Sequence, residues 1–277
     1  MNAQQNKKAG ALRGMHAGAE ILVLPNAWDV ASAVVFEKAG ARAIATSSAG
    51  VAFSLGYADG QQISRAQMME VVARIAAKVS VPVTADAEAG YGRAPEDVAK
   101  TTLAVIEAGA VGFNLEDMDE GSSAVLFSME DQVERVRAAR EAAKQAGVNV
   151  VINARTDVFL GEVGEPAKRL DETVRRLNAY RAAGADCLFA PGVTDAPTIA
   201  ELVRQVAGPL NILAGSDAPT IGELQKLGVA RVSLGSGMMR VALTAARDAA
   251  VELLEKGSYS KLVGNLISFR EMNDLMK

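Results

Sequence analysis

The chain alternates between short apolar runs and longer segments whose apolar residues recur with helical periodicity. One phrase occurs four times where such a segment meets an apolar run, and each time a glycine separates the two. Glycine readily adopts the left-handed backbone conformation that ends many helices. The phrase therefore predicts four helix C-termini, each followed by a strand, at Gly40, Gly109, Gly184 and Gly228.

Four further apolar runs bring the number of predicted strands to eight. They cover residues 21–24, 81–85, 150–154 and 210–213. Predicted helices lie between the strands, over residues 30–38, 65–78, 95–108, 129–145, 165–182, 196–206, 220–227 and 238–255. Strands that are apolar throughout are typical of a parallel sheet covered by helices. We predict an α/β fold, a closed (β/α)₈ TIM barrel.

A doubly wound open sheet is the alternative fold, but no glycine-rich dinucleotide-binding turn follows any strand. No Pro-rich or Ser-rich linker divides the chain either. We therefore predict one barrel domain over residues 1–277, with a C-terminal helical extension over about residues 257–277.

The composition and charge of the chain limit its binding partners and the compartment in which it is expected. With 277 residues, 49% of them apolar, the chain can bury a sizeable core, and its net charge of -4 includes no basic block suited to nucleic acid. The single cysteine excludes an internal disulfide framework and fits a reducing compartment. The first 13 residues lack the apolar core of a signal peptide, and no run reaches 18 apolar residues. We expect a cytoplasmic protein without nucleic-acid or membrane partners.

Polar residues collect where the predicted strands end, which is where (β/α)₈ barrels carry their catalytic groups. The ends of the second to fifth strands supply Thr46, Ser47, Ser48, Asp86, Glu88, Asn114, Glu116, Asp117, Asn153, Arg155, Thr156 and Asp157.

Three carboxylates among them are expected to converge. Asp86 and Glu88 are two residues apart, so an extended strand would direct both side chains to one face, and Glu116 follows the neighbouring strand. Packed together they repel one another unless some are protonated or a cation lies among them. Oxygen ligands without His or Cys favour Mg²⁺, with Mn²⁺ as the alternative. The other interpretation is that each acid caps a helix or pairs with a nearby Lys or Arg.

Arg155 can bind a substrate carboxylate through two parallel hydrogen bonds beside such a metal. It can also serve as a structural partner of Glu116 or Asp157. Ser47 and Ser48 offer hydroxyl and backbone N–H groups to an anion, and capping of a helix or loop is their other interpretation.

At these residues the sequence resembles the isocitrate lyase and phosphoenolpyruvate mutase superfamily, over about residues 24–236. Five fragments in the same order carry the resemblance: PNAWDVASA from Pro25, SSAGVAFSLGYADG from Ser47, DAEAGYG from Asp86, NLED from Asn114 and NARTD from Asn153. The resemblance implies a barrel whose eighth helix is exchanged between subunits. We accordingly expect a homo-oligomer, either a tetramer or a dimer.

The resemblance also implies roles for individual residues. It implies that Mg²⁺ is held by three carboxylates, that a carboxylate of the substrate is bound after the second strand, and that Arg155 binds the substrate near the bond that breaks. The implied metal ligands are Asp86, Glu88 and Glu116, and the implied substrate-binding residues are Ser47, Ser48, Ala49, Asp59 and Arg155.

The sequence departs from the superfamily at the loop after the fourth strand. Lyases carry a Lys-Lys/Arg-Cys-Gly-His loop there, whereas this chain has GSSAVLFS from Gly121. The lysine and asparagine of the phosphonate-forming enzymes are missing as well. Cys187 falls inside the predicted sixth strand and is interpreted as a core residue, and His16 precedes the first strand. Tyr91 and Ser123 are the remaining candidates for proton transfer.

The shared chemistry predicts a magnesium-dependent carbon-carbon lyase that acts through a metal-stabilised enolate. Its substrate would be a small 2-keto or 2-hydroxy di- or tricarboxylate, cleaved by decarboxylation or as in methylisocitrate lyase. One alternative is a carbon-phosphorus bond enzyme of the phosphonopyruvate hydrolase or phosphoenolpyruvate mutase type. The other is a barrel that binds a small molecule without catalysis.

Overall fold

Nine parallel strands form one sheet in the computed structural model, which describes residues 2–119, 125–264 and 266–277. The order around the sheet is β1-β9-β8-β7-β6-β5-β4-β3-β2. The strands are β1 (Leu22–Leu24), β2 (Asn26–Ala27), β3 (Ile44–Thr46), β4 (Val83–Asp86), β5 (Gly112–Glu116), β6 (Val151–Arg155), β7 (Cys187–Phe189), β8 (Leu210–Leu213) and β9 (Arg231–Ser233).

The sheet closes at Pro25, which separates β1 from β2. β1 pairs with β9 and β2 pairs with β3, so the two short strands share the first position of the barrel. Asn26 joins the two sides of this seam, since its Oδ1 accepts from the backbone N–H of Leu234 at 2.8 Å and its Nδ2 donates to the Thr46 carbonyl at 2.8 Å. Nine strands therefore occupy eight positions, and the predicted (β/α)₈ barrel is confirmed.

The helices confirm the eight predicted by periodicity, with ends that shift by at most four residues. The four predicted glycines all have left-handed φ values, 100°, 84°, 116° and 90°. The helices are α1 (Asn2–His16), α2 (Val30–Lys38), α3 (Ser48–Ser54), α4 (Arg65–Lys78), α5 (Pro95–Glu107), α6 (Met129–Gln145), α7 (Arg169–Ala182), α8 (Ala196–Gln205), α9 (Ile221–Leu227), α10 (Gly237–Lys256) and α11 (Phe269–Leu275), with short 3-10 helices over Pro166–Lys168 and Ser260–Leu262.

Helix α1, which the sequence pattern did not predict, covers the N-terminal end of the barrel. Its Leu12 is fully buried among inward-facing side chains of the strands. Gly112 makes room for this contact, because a Cβ there would lie 3.0 Å from Leu12 Cδ2 and 2.9 Å from the Val151 carbonyl oxygen. Gln5 Nε2 donates to the carbonyl of Ala110, just before β5, at 3.0 Å. The helix thus fixes the strands at the end opposite to the predicted site.

Helix α10 is the last of the eight barrel helices and leaves apolar side chains exposed. Val241 is 67% exposed and Leu254 is 83% exposed, and Phe269 in the C-terminal extension is 87% exposed. These apolar side chains are therefore not covered within a single chain. In the described part of the chain, no helix combines the length and the apolar character needed to cross a membrane.

His16, at the end of α1, predicts how stability depends on pH. Burial, and then the charge of Arg231, lower its pKa from 6.5 to about 4. The unfolded chain therefore binds more protons than the folded one between these values, and stability decreases as the pH falls through this window. We expect the wild-type protein to lose about 2 kcal/mol between pH 7 and pH 5 from this group.

The chain has one histidine, so His16→Gln isolates the effect. Urea unfolding across this pH range should show a shallower decline for the variant than for the wild type. If the free energy of unfolding declined equally with pH in both proteins, the pH dependence could not be assigned to His16.

Candidate active site

Asp86 ends β4 and is held from both sides. Its Oδ2 accepts from the Ser48 hydroxyl at 2.9 Å and from the Ser48 backbone N–H at 3.1 Å. Its Oδ1 accepts from Asn114 Nδ2 at 3.2 Å, and its own backbone N–H donates to Thr46 Oγ1 at 2.8 Å. Contacts from β3, α3 and β5 thus fix this carboxylate at the C-terminal mouth of the barrel.

Glu88 reaches the mouth by a different route from the predicted one. β4 ends at Asp86, and Glu88 has a left-handed φ of 49°, so strand alternation does not set its direction as the sequence analysis assumed. A turn after the strand places it instead. Tyr91 in the same turn has a φ of 56°, and non-glycine residues in this conformation are often found at functional sites. The backbone N–H of Gln61 donates to Glu88 Oε2.

Glu116 ends β5 and lies buried beside Arg155. Arg155 Nη1 donates to Glu116 Oε2 at 2.7 Å, and Arg155 Nε donates to Asp157 Oδ1 at 2.7 Å. Burial raises the pKa of Glu116 well above its usual range, Arg155 opposes this, and the charges of Asp157, Asp86 and Glu88 add to it. Both structural pairings of Arg155 that the sequence left open are therefore present.

Electrostatic coupling shows that Asp86, Glu88 and Glu116 form one acidic cluster. The pKa of Tyr91 is raised by burial and then by the charges of all three. The donor set suits Mg²⁺, which prefers oxygen ligands and keeps several waters. Within the described residues, however, no three Asp, Glu, His or Cys side chains are arranged to enclose an ion, and Asp86 and Glu116 both face protein donors. The cluster fits the ion by its chemistry, and its roles as ligands stay a prediction.

Arg155 remains positively charged in this setting. Burial lowers its pKa, but the charges of Glu116, Asp157 and Asp86 outweigh burial and raise it. The guanidinium also lies 5.7 Å from the centre of the Phe189 ring. Asp59 lies at the exposed rim, and partial burial and the Asp86 charge raise its pKa. A fixed positive charge therefore lies against the acidic cluster, as the sequence predicted.

The two serines after β3 have different roles: Ser47 caps a helix, and Ser48 contacts the acidic cluster. Ser47 caps helix α3, since its hydroxyl accepts from the Gly50 backbone N–H at 3.1 Å. Ser48 contacts Asp86 instead, and Ala49 lies in the first turn of α3. The sequence pattern predicted no helix over this segment. The short helix directs Ser48 toward the acidic cluster.

The candidates for proton transfer are unequally placed. Burial and the neighbouring carboxylates raise the pKa of Tyr91, so its phenol stays protonated at neutral pH. Ser123 lies outside the described residues. Cys187 is fully buried in β7, as predicted, and burial raises the pKa of its thiol to about 12.

Asp117 organises a buried network that the sequence analysis did not identify. It follows Glu116 in the chain, so the two side chains leave opposite faces of the sheet. Its Oδ2 accepts from Thr156 Oγ1 at 2.7 Å, Tyr180 Oη at 2.7 Å and Arg176 Nη1 at 3.1 Å. Its Oδ1 accepts from the Asp157 backbone N–H at 2.9 Å. Asp117 thereby fixes the chain immediately after Arg155. The NLED fragment contained this signal, since it places Asp117 directly after the predicted site residue Glu116.

Replacing Asp117 with Asn should destabilise the fold by about 3 kcal/mol, because an amide N–H₂ group would face buried donors. The exposed Asp131→Asn on α6 is the control and should change stability by no more than about 0.5 kcal/mol. Urea unfolding at neutral pH measures both. Equal losses in the two variants would contradict the importance of the network.

Comparison with known proteins identifies the family of the chain. The model of the phosphoenolpyruvate phosphomutase family matches residues 12–254. An uncharacterized protein of Mycobacterium tuberculosis strain H37Rv is 34% identical over 256 residues, 89% of this chain and 92% of that protein. The 2-methylisocitrate lyase of Aeropyrum pernix is 28% identical over 267 residues, 93% of this chain and 83% of the lyase.

Solved structures agree with this placement. A crystal structure from Burkholderia cenocepacia J2315 has a TM-score of 0.92 at 37% identity and covers 99% of this chain and 97% of its own. 2,3-Dimethylmalate lyase has a TM-score of 0.85 at 29% identity, over 97% and 94% of the two chains. Phosphonopyruvate hydrolase with oxalate and Mg²⁺ has a TM-score of 0.86 at 25% identity, over 97% and 94%. The chain therefore belongs to the phosphoenolpyruvate phosphomutase family, within the isocitrate lyase and phosphoenolpyruvate mutase superfamily.

Proposed function

We propose that this chain is a magnesium-dependent lyase that breaks a carbon-carbon bond in a small 2-keto or 2-hydroxy di- or tricarboxylate. The acidic cluster beside a permanently charged Arg155 carries the proposal. Relatives named 2-methylisocitrate lyase and 2,3-dimethylmalate lyase support it, as does a related hydrolase structure that contains Mg²⁺.

Asp86, Glu88 and Glu116 would hold the ion, with Mn²⁺ as an alternative to Mg²⁺. When bound, the ion supplies a Lewis acid for negative charge that develops on a substrate oxygen. Arg155 keeps its charge and has donors beyond its contacts with Glu116 and Asp157, so it would bind a carboxylate near the reacting carbon. Ser47, Ser48 and Ala49 would bind a second carboxylate from α3, and Asp59 would line the entrance.

Decarboxylation suits these residues better than a cleavage that depends on a strong general acid. Carbon dioxide leaves with its bonding electrons left on the substrate carbon, and that carbon can later take a proton from water. The segment from Gly121 to Ser128 contains no Cys, Lys or His that could act as a general acid. General acid or base help contributes about 10² to 10⁴ in rate. Tyr91, which holds its proton, would donate a hydrogen bond, and Ser123 stays a candidate by sequence alone.

We also propose that α10 packs against a second copy of the chain, as in the exchanged helix that the sequence resemblance implied. The exposed Val241 and Leu254 support this, because large contiguous apolar surfaces are uncommon on monomers. Light scattering in solution should show a dimer or tetramer. A monomer at all concentrations would contradict the proposal.

Glu116→Gln tests the metal site. Loss of one ligand charge should weaken Mn²⁺ or Mg²⁺ binding by at least about 10- to 100-fold and abolish turnover, while the folded barrel is retained. The exposed Glu141→Gln on α6 is the matched control and should bind the ion as the wild type does. Titration calorimetry measures binding and circular dichroism checks the fold. Unchanged affinity in Glu116→Gln would count against the assignment.

A substrate panel separates the possible activities. Oxaloacetate, methylisocitrate, dimethylmalate and phosphonopyruvate are each assayed with and without Mg²⁺. We expect metal-dependent turnover of at least one of the first three. Turnover of phosphonopyruvate alone would instead establish a carbon-phosphorus bond enzyme. Ion binding without any turnover would favour a non-catalytic barrel.

A further inference from the structure

Arg231 lies in the interior of the barrel, beneath the proposed metal site. It begins β9, pairs in register with Leu22 and Asn211 on the neighbouring strands, and is completely buried. (β/α)₈ barrels usually fill this space with branched apolar side chains. A buried guanidinium is costly there unless something compensates its charge.

A short chain of hydrogen bonds connects Arg231 to the acidic cluster. Arg231 Nη2 donates to Asn114 Oδ1 at 3.3 Å, and Asn114 Nδ2 donates to Asp86 Oδ1 at 3.2 Å. Asn153 Nδ2 donates to the same Asn114 oxygen at 2.8 Å. Two donors on this oxygen fix the orientation of the amide, so that its N–H₂ group faces Asp86.

Within the described residues, Arg231 has no ion pair of its own. Its Nε and Nη1 are buried and lack hydrogen-bond partners there, and its one hydrogen bond goes to the neutral Asn114. Asp86 is the carboxylate that this hydrogen-bonded chain reaches. The uncompensated positive charge and the crowded negative charges therefore lie on either side of one amide group.

We propose that Arg231 is the internal counter-charge of the acidic cluster, acting on Asp86 through Asn114, and that it stabilises the protein when no metal ion is bound. This inference rests on the proposed metal site. Arg231 is a positioning residue, because its guanidinium reaches the cluster through Asn114. Since Arg231 and a divalent ion both compensate the same carboxylates, each reduces the benefit of the other.

The sign of this coupling makes the proposal testable. Arg231→Met removes the charge and keeps a side chain of similar length, while Asn153 still holds the Asn114 oxygen. The variant should be less stable than the wild type without metal, yet bind Mn²⁺ about tenfold more tightly. A purely structural role would lower stability without strengthening metal binding. Electron paramagnetic resonance of free Mn²⁺ measures the affinity, and urea unfolding with and without Mn²⁺ measures the stability.

Cys187→Ala is the matched control. Cys187 lies in the same barrel interior, in register beside Asn153, but it does not join the hydrogen-bonded chain to Asp86. This variant should lose stability and keep the wild-type affinity for Mn²⁺. Tighter binding in Cys187→Ala as well would show that a loosened interior, not the lost charge, causes the effect, and would overturn the proposal.

The remaining outcomes distinguish this inference from the proposed function. A wild-type protein that binds no Mn²⁺ would remove the metal site and this inference with it. A wild type that binds Mn²⁺, with Arg231→Met binding equally or more weakly, would overturn the inference alone. If Arg231→Met folds only when Mn²⁺ is present, the affinities are compared with Arg231→Gln instead, because any ligand of the folded state rescues a destabilised variant. Arg231→Gln, which keeps an N–H donor without the charge, gives the same comparison should the Met variant be insoluble under all conditions.

Discussion

Crowded negative charge at the mouth of the barrel is the constraint on which the rest of this structure depends. Glu116 is buried within the electrostatic influence of Asp86, Glu88 and Asp157, and isolated buried charges are strongly disfavoured. The protein compensates for this by placing at least one donor against each carboxylate of the cluster. Ser48 and Asn114 donate hydrogen bonds to Asp86, and the Gln61 backbone N–H donates to Glu88. Arg155 donates to Glu116.

Two buried arginines compensate this charge in different ways. Arg155 makes direct ion pairs with Glu116 and Asp157 at the mouth of the barrel. Arg231 is completely buried in the barrel interior and is linked to Asp86 through the Asn114 amide. Buried ion pairs give little net stability by themselves, but they specify geometry when each partner is held. Asp117 holds the segment after Arg155 by accepting from the Thr156 hydroxyl and the Asp157 backbone N–H, so the arginine reaches the cluster in one orientation.

Periodicity predicted the barrel because its strands and helices alternate with short, glycine-marked junctions. It did not predict α1, whose polar, lysine-containing sequence shows little of an apolar face, although Leu12 and Ala9 are completely buried. It also missed α3, since a seven-residue helix is too short to display a period. Glu88 was predicted at the correct end of the barrel but for an incomplete reason, because a left-handed turn rather than the strand sets its position. Arg231 was not predicted as a buried charge, since sequence alone gives no sign that an amide on another strand will meet it.

The same charges that suit the cluster to a cation also limit which proton transfers the site can support. They raise the pKa of the Tyr91 phenol, which makes it a hydrogen-bond donor and a poor source of a full proton. The chain's one cysteine lies in the barrel interior with its pKa raised to about 12, and its one histidine ends the helix at the far end of the barrel. None of these described groups is a strong general acid, and for this reason the proposed function favours loss of carbon dioxide over a retro-aldol cleavage.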